Sequence, residues 1–124
     1  MTFQDKRIAI VKALIDTGIS SKNIAFSKDT IPNSFPSAIV VLEGEKGFNK
    51  SSKRYLAFEY DIQVFLIADV NNSDDPDIDI LKLSDRFKAN YRLAVGEDIP
   101  KIEFYPARAD AGRKVRIANV YTVF

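Results

Sequence analysis

The alternation of apolar and polar positions is most regular in the middle of the chain, where residues 54–70 read RYLAFEYDIQVFLIADV. Every even position from 56 to 68 carries an apolar or aromatic residue. The odd positions are polar in the centre of the run and apolar beyond it, at Glu59, Asp61, Gln63, Phe65 and Ile67. Because successive side chains of a strand point to opposite faces, this pattern predicts a long strand with one face on a core. The mixed second face indicates a surface that contacts other protein chains.

A first helix is predicted for residues 3–17. Thr2 stands three residues before Asp5, which is the spacing of a capping box. Gly18 follows the last helical position, where a left-handed conformation often ends a helix.

A second helix is predicted from Pro76 to about Leu93. Asp74 or Asp75 is expected to cap it, and proline suits the first turn. Its apolar residues recur at steps of three and four, at Ile80, Leu83, Phe87 and Tyr91.

Four shorter segments have the composition of strands. Residues 23–26 indicate a short edge strand, and Ser37–Glu43 is rich in β-branched residues. Lys101–Tyr105 is expected to end at Pro106, and a last strand covers Val115–Phe124. In this last strand the odd positions are expected to face the core, at Val115, Ile117, Tyr121 and Val123.

Two connecting segments are predicted to be loops. Residues 108–114 form a turn, with Gly112 free to adopt positive φ. Residues 44–53 contain two glycines, an asparagine and two serines, and they are longer than a tight hairpin requires. This second loop is either a solvated connection or an arm that docks on a partner, because it carries an aromatic residue among cations at Lys46, Phe48, Lys50, Lys53 and Arg54.

The element order is therefore α-(β)-β-β-α-β-β. It predicts one α+β domain over residues 1–124, with an antiparallel sheet of about four to five strands and two helices packed on one face. The other face of the sheet is expected to be uncovered in the monomer.

Composition narrows the functions that fit. The formal net charge is +1, which argues against a specific nucleic-acid binder. The chain has no cysteine and no histidine, so the commonest transition-metal ligands are missing. No apolar run reaches the length of a membrane span, and residues 1–7 lack the apolar core of a signal peptide, so cytoplasmic synthesis is expected.

The carboxylates give weak signals for chemistry. The acidic stretch 69–79 does not fit an EF-hand, which needs a glycine at its sixth position and a glutamate at its twelfth. Counted from Asp69, these positions hold Asp74 and Ile80, and helix capping explains the acidic residues better. Glu59 and Asp61 share a strand face, but no lysine follows two residues after either of them. We therefore expect no catalysis, no cofactor and no metal.

Charges on two strands suggest a pairing across the sheet. If the last strand lies beside the long one, Lys114 and Arg116 are expected to lie across from Glu59 and Asp61. Arg113, next to them in the sequence, is a further candidate for the interface. Such pairs either give mild support to the sheet or fix the register between subunits.

The layout resembles that of phage tail-terminator proteins, the minor tail protein U type of lambda-like phages and the related tail-completion proteins of Mu-like phages. The resemblance lies in the order and lengths of the elements. They are an N-terminal helix, a proline-marked strand in FPSAIVVLEGEKG, a long strand in YLAFEYDIQVFLIADV, an acid-started helix, and a closing hairpin in ARADAGRKVRIANVYTVF.

What the resemblance implies is a structural subunit without cofactor or catalysis. Such subunits form a ring, typically a hexamer, at the head-proximal end of the tail, in the host cytoplasm during assembly and in the virion afterwards. The implied partners are further copies of the chain, the tail-tube protein and the head–tail connector, with no membrane involved. Residues 44–53 would correspond to a hairpin that projects towards a neighbour or the tail tube.

Two other functions remain open at this stage. One is a small ligand- or peptide-binding α+β module that uses the uncovered sheet face as its groove. The other is a metal-dependent hydrolase built on Glu59, Asp61 and the acidic loop.

Overall fold

A computed structural model describes residues 2–29, 34–49, 56–110 and 112–123, and for residues 45–49 and 56–59 and for Asp110 it describes the backbone alone. The helices and strands are α1 (Phe3–Thr17), β1 (Ile24–Ala25), β2 (Ser37–Asn49), β3 (Leu56–Asp69), α2 (Pro76–Val95), β4 (Lys101–Asp110) and β5 (Arg113–Val123), with a short 3₁₀ turn at Ser21–Asn23.

The start and end of α1 follow from its sequence signals. The Thr2 hydroxyl accepts a hydrogen bond from the Asp5 backbone N–H, and the Asp5 carboxylate accepts one from the Thr2 N–H, which completes the predicted capping box. These bonds to Thr2 hold the pKa of Asp5 below its usual range. Gly18 ends the helix at φ 107°, a left-handed conformation that glycine adopts without steric cost.

Helix α2 also begins where the sequence predicts. The Asp75 carboxylate accepts a hydrogen bond from the Ile78 N–H at 3.3 Å, and Pro76 occupies the first turn. The side chains of Ile80, Leu83, Phe87 and Tyr91 are buried, as the three- and four-residue spacing indicates.

The strands form a five-stranded sheet in the order β1-β2-β3-β5-β4. All pairs are antiparallel except the two-residue strand β1, which runs parallel to β2 at the edge. Both helices pack on one face of this sheet, so the predicted α+β class is confirmed. The core between the layers includes Ile10, Leu14, Val64, Leu66, Ile80, Phe87, Tyr91 and Val120.

The β2–β3 pair is longer than the sequence predicted. β2 continues through Asn49, so the prediction of a loop from residue 44 was wrong for residues 44–49. A bulge between Leu42 and Gly44 lets the strand continue, because it absorbs one residue and keeps the pairing with β3. Residues 50–55 lie outside the described part of the chain.

The β4–β5 hairpin is also longer than predicted. β4 passes Pro106 and reaches Asp110, because a bulge between Tyr105 and Arg108 takes the proline out of the regular ladder. The predicted turn over residues 108–114 is therefore mostly strand. Gly112 lies at φ 77°, the positive φ that was expected of it.

The faces of β5 are reversed from the expectation. Ala118 and Val120 contact the core under the helices, whereas Ile117, Asn119 and Tyr121 lie on the opposite face. The sequence of β5 does not show which side faces the helices, because apolar residues lie on both of its faces. The side that faces the helices is set by the register with β3, in which Val64 pairs with Val120.

Candidate interaction surface

The sheet face opposite the helices, here called the helix-free face, carries two different halves. Along β3 it is formed by Gln63, Phe65 and Ile67, and along β5 by Ile117, Asn119 and Tyr121. The apolar half lies at Ile67 and Ile117, which are paired across the two strands, and the polar half begins at Asn119.

The apolar half is a second, smaller core. Ile39, Ile67, Val115 and Ile117 are all buried, and Phe35, Phe65 and Val41 pack against them. Ile67 is only 5% exposed. The expectation that this face is uncovered in the monomer is therefore wrong for its apolar half, and Ile67 is a core residue of the monomer. Phe65 is half-buried and remains at the surface of the cluster.

Cations lie over the aromatic rings at the rim of this small core. The Lys28 ammonium lies 5.3 Å from the centre of the Phe65 ring and is paired with Glu43. The Arg113 guanidinium lies 5.7 Å from the Phe35 ring and 3.0 Å from the Asp69 carboxylate. Each of these side chains thus covers part of an aromatic ring, while its charged group is paired with a carboxylate.

The polar half is a network of side chains on β3, β5 and β4. Asn119 donates to Gln63 Oε1 at 3.1 Å and to the Tyr105 hydroxyl at 3.3 Å. The Tyr121 hydroxyl donates to Glu103 at 3.1 Å, and Lys101 lies 2.8 Å from the same carboxylate. This stripe of acceptors and donors crosses the sheet from its β4 edge to β3.

The network changes the ionisation of two of its members. Burial, together with hydrogen bonds to Glu103 and Tyr105, raises the pKa of Tyr121 to about 12. The hydrogen bonds from Lys101 and Tyr121 lower the pKa of Glu103 below its usual range. At neutral pH the stripe therefore holds Glu103 as a charged carboxylate and Tyr121 as a neutral phenol.

Asn119 is the least expected member of this network. Its side chain is 2% exposed, and its Oδ1 has no hydrogen-bond partner among the residues that the structure describes. A buried acceptor without a donor is costly, so this atom marks a place where a further donor stabilises the molecule. The sequence does contain a signal, since Asn119 is the one polar residue in the run RIANVY that is neither charged nor aromatic.

The predicted charge pairing across the sheet is wrong. β3 and β5 are neighbours, but Arg116 lies opposite Ala68, and the backbone of Lys114 adjoins Val70. Arg113 pairs with Asp69, and Arg116 pairs with Asp77 at the start of α2 and donates to the Tyr105 carbonyl. The antiparallel register separates these cations from Glu59 and Asp61, because the end of β5 near Val123 is the end that meets Asp61.

The remaining predicted interface residues divide between the sheet and the undescribed segment. Asp61 is exposed at the end of the five-stranded region, and Gln63 belongs to the polar stripe. Lys46, Phe48 and Glu59 lie on β2 and β3, and Lys46 is paired in register with Glu59. Lys50, Lys53 and Arg54 lie outside the described residues.

Beyond Asp61 the strands β2 and β3 continue as a pair, here called the ribbon, which comprises residues 44–49 and 56–60. The last residue of β5, Val123, lies opposite Asp61, so in the described residues the ribbon is paired only with itself. Two-stranded pairs of this kind are only marginally stable alone in water.

A shallow cleft of about 260 Å³ lies at another place, between the start of β2 and α2. Its walls combine apolar and charged groups: Phe35, Pro36, Ala68, Asp69, Asp79, Lys82, Leu83 and Arg86. This cleft is not on the sheet face where the ligand-binding alternative placed its groove.

Two further features are absent from the described residues. No three side chains of the types that hold metal ions are grouped together in the described part of the chain. None of the helices described is both long and apolar enough to cross a bilayer.

Comparison with known proteins adds no assignment. No protein-family model matches the sequence, and no curated protein matches it significantly.

Proposed function

We propose that this chain is a structural subunit that assembles with copies of itself into a ring, and that the ring is a tail terminator of a phage or prophage. In that function the ring caps the head-proximal end of the tail, stops polymerisation of the tail tube and offers the surface that joins the head. The order of elements supports the proposal, since the helix, the proline-marked strand, the long strand, the acid-capped helix and the closing hairpin all occur in the expected sequence.

The observation that carries the proposal is the ribbon. Residues 56–60 extend β3 beyond the end of β5 and pair with β2 alone in the described part of the sheet. At about 3.3 Å per residue, these five residues project roughly 17 Å. A two-stranded extension gains stability when it lies against another chain, so the ribbon is suited to contact a neighbouring subunit or the tail tube.

The partners that follow are further copies of this chain, the tail-tube protein and the head–tail connector. Assembly takes place in the bacterial cytoplasm, and an active phage carries the ring at the neck of its tail. The chemistry required of the subunit is recognition by shape and charge, without a reaction.

The proposal is tested with purified tail-tube protein from the phage or prophage that encodes this chain. Tube polymerisation is followed by electron microscopy with and without the purified chain. We expect tubes that stop growing and that carry a ring at one end. Tubes of unchanged length with bare ends would contradict the proposal.

A variant that lacks most of the ribbon tests whether the ribbon is the contact surface. Residues 46–59 are replaced by Asn-Gly, which joins Glu45 and Tyr60, a pair in register, through a two-residue hairpin turn. We expect the circular dichroism spectrum and the cooperative unfolding transition to persist while capping of the tubes is lost. Retention of capping by this variant would show that the ribbon is not the contact.

A further inference from the structure

The ribbon has two strand edges that no other described strand covers. On one side β1 adjoins β2 at Ala38 and Ile39, well before the ribbon begins. On the other side β5 ends opposite Asp61. Within the described residues, the backbone of the ribbon is therefore paired along its inner edges, where β2 meets β3, and not along its outer ones.

The sheet register shows which backbone groups of β3 point to the open side. The Val70 N–H donates to the carbonyl of Lys114, the residue across from it, at 2.9 Å, and the Thr122 hydroxyl donates to the Ile62 carbonyl. Even-numbered residues of β3 thus turn their backbone groups towards β5, because the direction alternates along an antiparallel strand. The bulge of this region lies on β2, so the same alternation turns the N–H and C=O of Phe58 away from β2.

The outer edge of β2 is open in the same way. In the ribbon, Gly44, Lys46 and Phe48 are paired with odd-numbered residues of β3, whose backbone groups face β2. The alternation then turns the backbone groups of Glu45 and Gly47 outwards, away from β3. Backbone N–H and C=O groups need hydrogen-bond partners, and a row of them on an open edge is a template for another strand.

The ribbon lacks the features that commonly keep strand edges apart. At the edge of the sheet, β4 contains Pro106 and a bulge, and its Tyr105 carbonyl already accepts from Arg116. Strand β1 at the other edge is two residues long. Residues 44–49 and 56–60 contain no proline and keep a regular register with each other. Among the described strands, the ribbon is therefore the pair best suited to accept a further strand.

We propose that the ribbons of neighbouring copies pair edge to edge, with the β3 edge at Phe58 of one copy beside the β2 edge at Gly47 of the next. In a ring with cyclic symmetry all ribbons point the same way, so β3 of one copy runs antiparallel to β2 of its neighbour. Each copy offers both edges, so closing the ring covers every edge and gives one continuous sheet with two strands per copy. This inference rests on the proposed ring and specifies the bonds that form it.

Proline substitutions test these bonds, because proline has no backbone N–H. Phe58→Pro and Gly47→Pro each remove one outward N–H, and Phe58→Ala and Gly47→Ala are matched controls that keep it. In sedimentation velocity we expect the wild type and both alanine variants to form the closed oligomer. Each proline variant should keep the circular dichroism spectrum of the fold, while the population of its oligomer falls about tenfold or more. Equal losses in an alanine variant and its proline counterpart would overturn the edge pairing.

A one-to-one mixture of Phe58→Pro and Gly47→Pro copies tests which edges meet. The mixture keeps one intact contact, between the β3 edge of the Gly47→Pro copy and the β2 edge of the other. We therefore expect a species of two subunits that grows no further. Dimers formed by either proline variant alone would show that like edges pair, which contradicts the proposed arrangement.

Hydrogen exchange at single amides gives a readout without substitutions. The amides of Glu45, Gly47 and Phe58 should exchange freely in the dilute monomer and become protected in the oligomer. A neighbour that packs on the ribbon without strand pairing would leave these amides exchanging, which would overturn the edge pairing and leave the ring standing. A wild type that is monomeric at every concentration, with tail-tube protein present, would overturn the ring and the pairing together.

Discussion

At the scale of single residues, Lys6 is the most informative side chain of the helical layer. It is 1% exposed, its ammonium lies 3.0 Å from Glu97, and it lies 5.3 Å from the centre of the Tyr91 ring. Burial alone lowers the pKa of Lys6, but hydrogen bonds to Tyr91 and Glu97 outweigh it, so the net shift is upward. Lys6 therefore ties α1 to α2 and to Glu97, the second residue beyond the end of α2.

Removing this ammonium is expected to destabilise the fold. Lys6→Ala leaves its partners without a donor and opens space between the helices, and we expect a loss of about 1–3 kcal/mol in the free energy of unfolding. Lys12→Ala is the matched control, because Lys12 pairs with Asp16 on an exposed helix face, and its loss should be under about 0.5 kcal/mol. Urea denaturation measures both, and equal effects would contradict the account of Lys6.

The pH dependence of this contribution has a definite sign. Since the pKa of Lys6 is raised on folding, its contribution is complete below the ordinary lysine pKa of 10.5 and is lost as the pH rises through the higher folded value. The difference in stability between wild type and Lys6→Ala should be constant from pH 6 to 9 and should shrink above about pH 10.5. A difference that falls between pH 6 and 9 would show that another group is responsible.

Tyr121 offers an optical test of the polar stripe. Its pKa of about 12 places its ionisation well above that of an ordinary tyrosine. The absorbance titration of the wild type minus that of Tyr121→Phe should therefore show one tyrosine that ionises near pH 12. A difference curve centred near pH 10 would mean that burial and the hydrogen bond to Glu103 are absent in solution.

At the scale of elements, the register of the sheet determines which side chains of β5 face the helices. Val120 is fully buried under the helices, whereas Val123 is 41% exposed. Val→Thr at residue 120 places a hydroxyl in the core and should cost about 1–3 kcal/mol in the free energy of unfolding. The same change at residue 123 should cost less than about 0.5 kcal/mol. Comparable losses at the two positions would contradict the assignment of the faces.

The elements that the sequence predicted well are those set by local contacts. The capping box of Thr2 and Asp5, the cap at Asp75 and the glycine that ends α1 all act within a few residues, and the helix boundaries follow from them. The alternation in residues 54–70 likewise indicated the long strand β3.

The features that could not be predicted from the sequence depend on which strands pair and in what register. Bulges near Gly44 and Pro106 allow β2 and β4 to continue through residues that favour turns, because pairing with a long partner strand offsets the local preference. The antiparallel register decides that Arg116 lies near Asp77 rather than Asp61. No local pattern contains that register, so the polar stripe around Asn119 was missed.

At the scale of the whole molecule, the two faces of the sheet are both largely self-covered. The helices cover one face, and Phe35 with its neighbours covers the apolar half of the other. In the proposed ring, the contact surfaces are the ribbon and the exposed part of the polar stripe. A ring built from such surfaces depends on charge, and its stability should fall as ionic strength rises.

The most direct measurement of the central claim is native mass spectrometry of the purified full chain over a wide range of protein concentrations, with negative-stain images of the same samples. The account predicts a single closed oligomer of more than two subunits that images as a ring, and a decrease in its population when salt is added before transfer to the spraying buffer. A monomer at every concentration, or chains of unlimited length without closure, would contradict the claim that this protein is a ring-forming subunit.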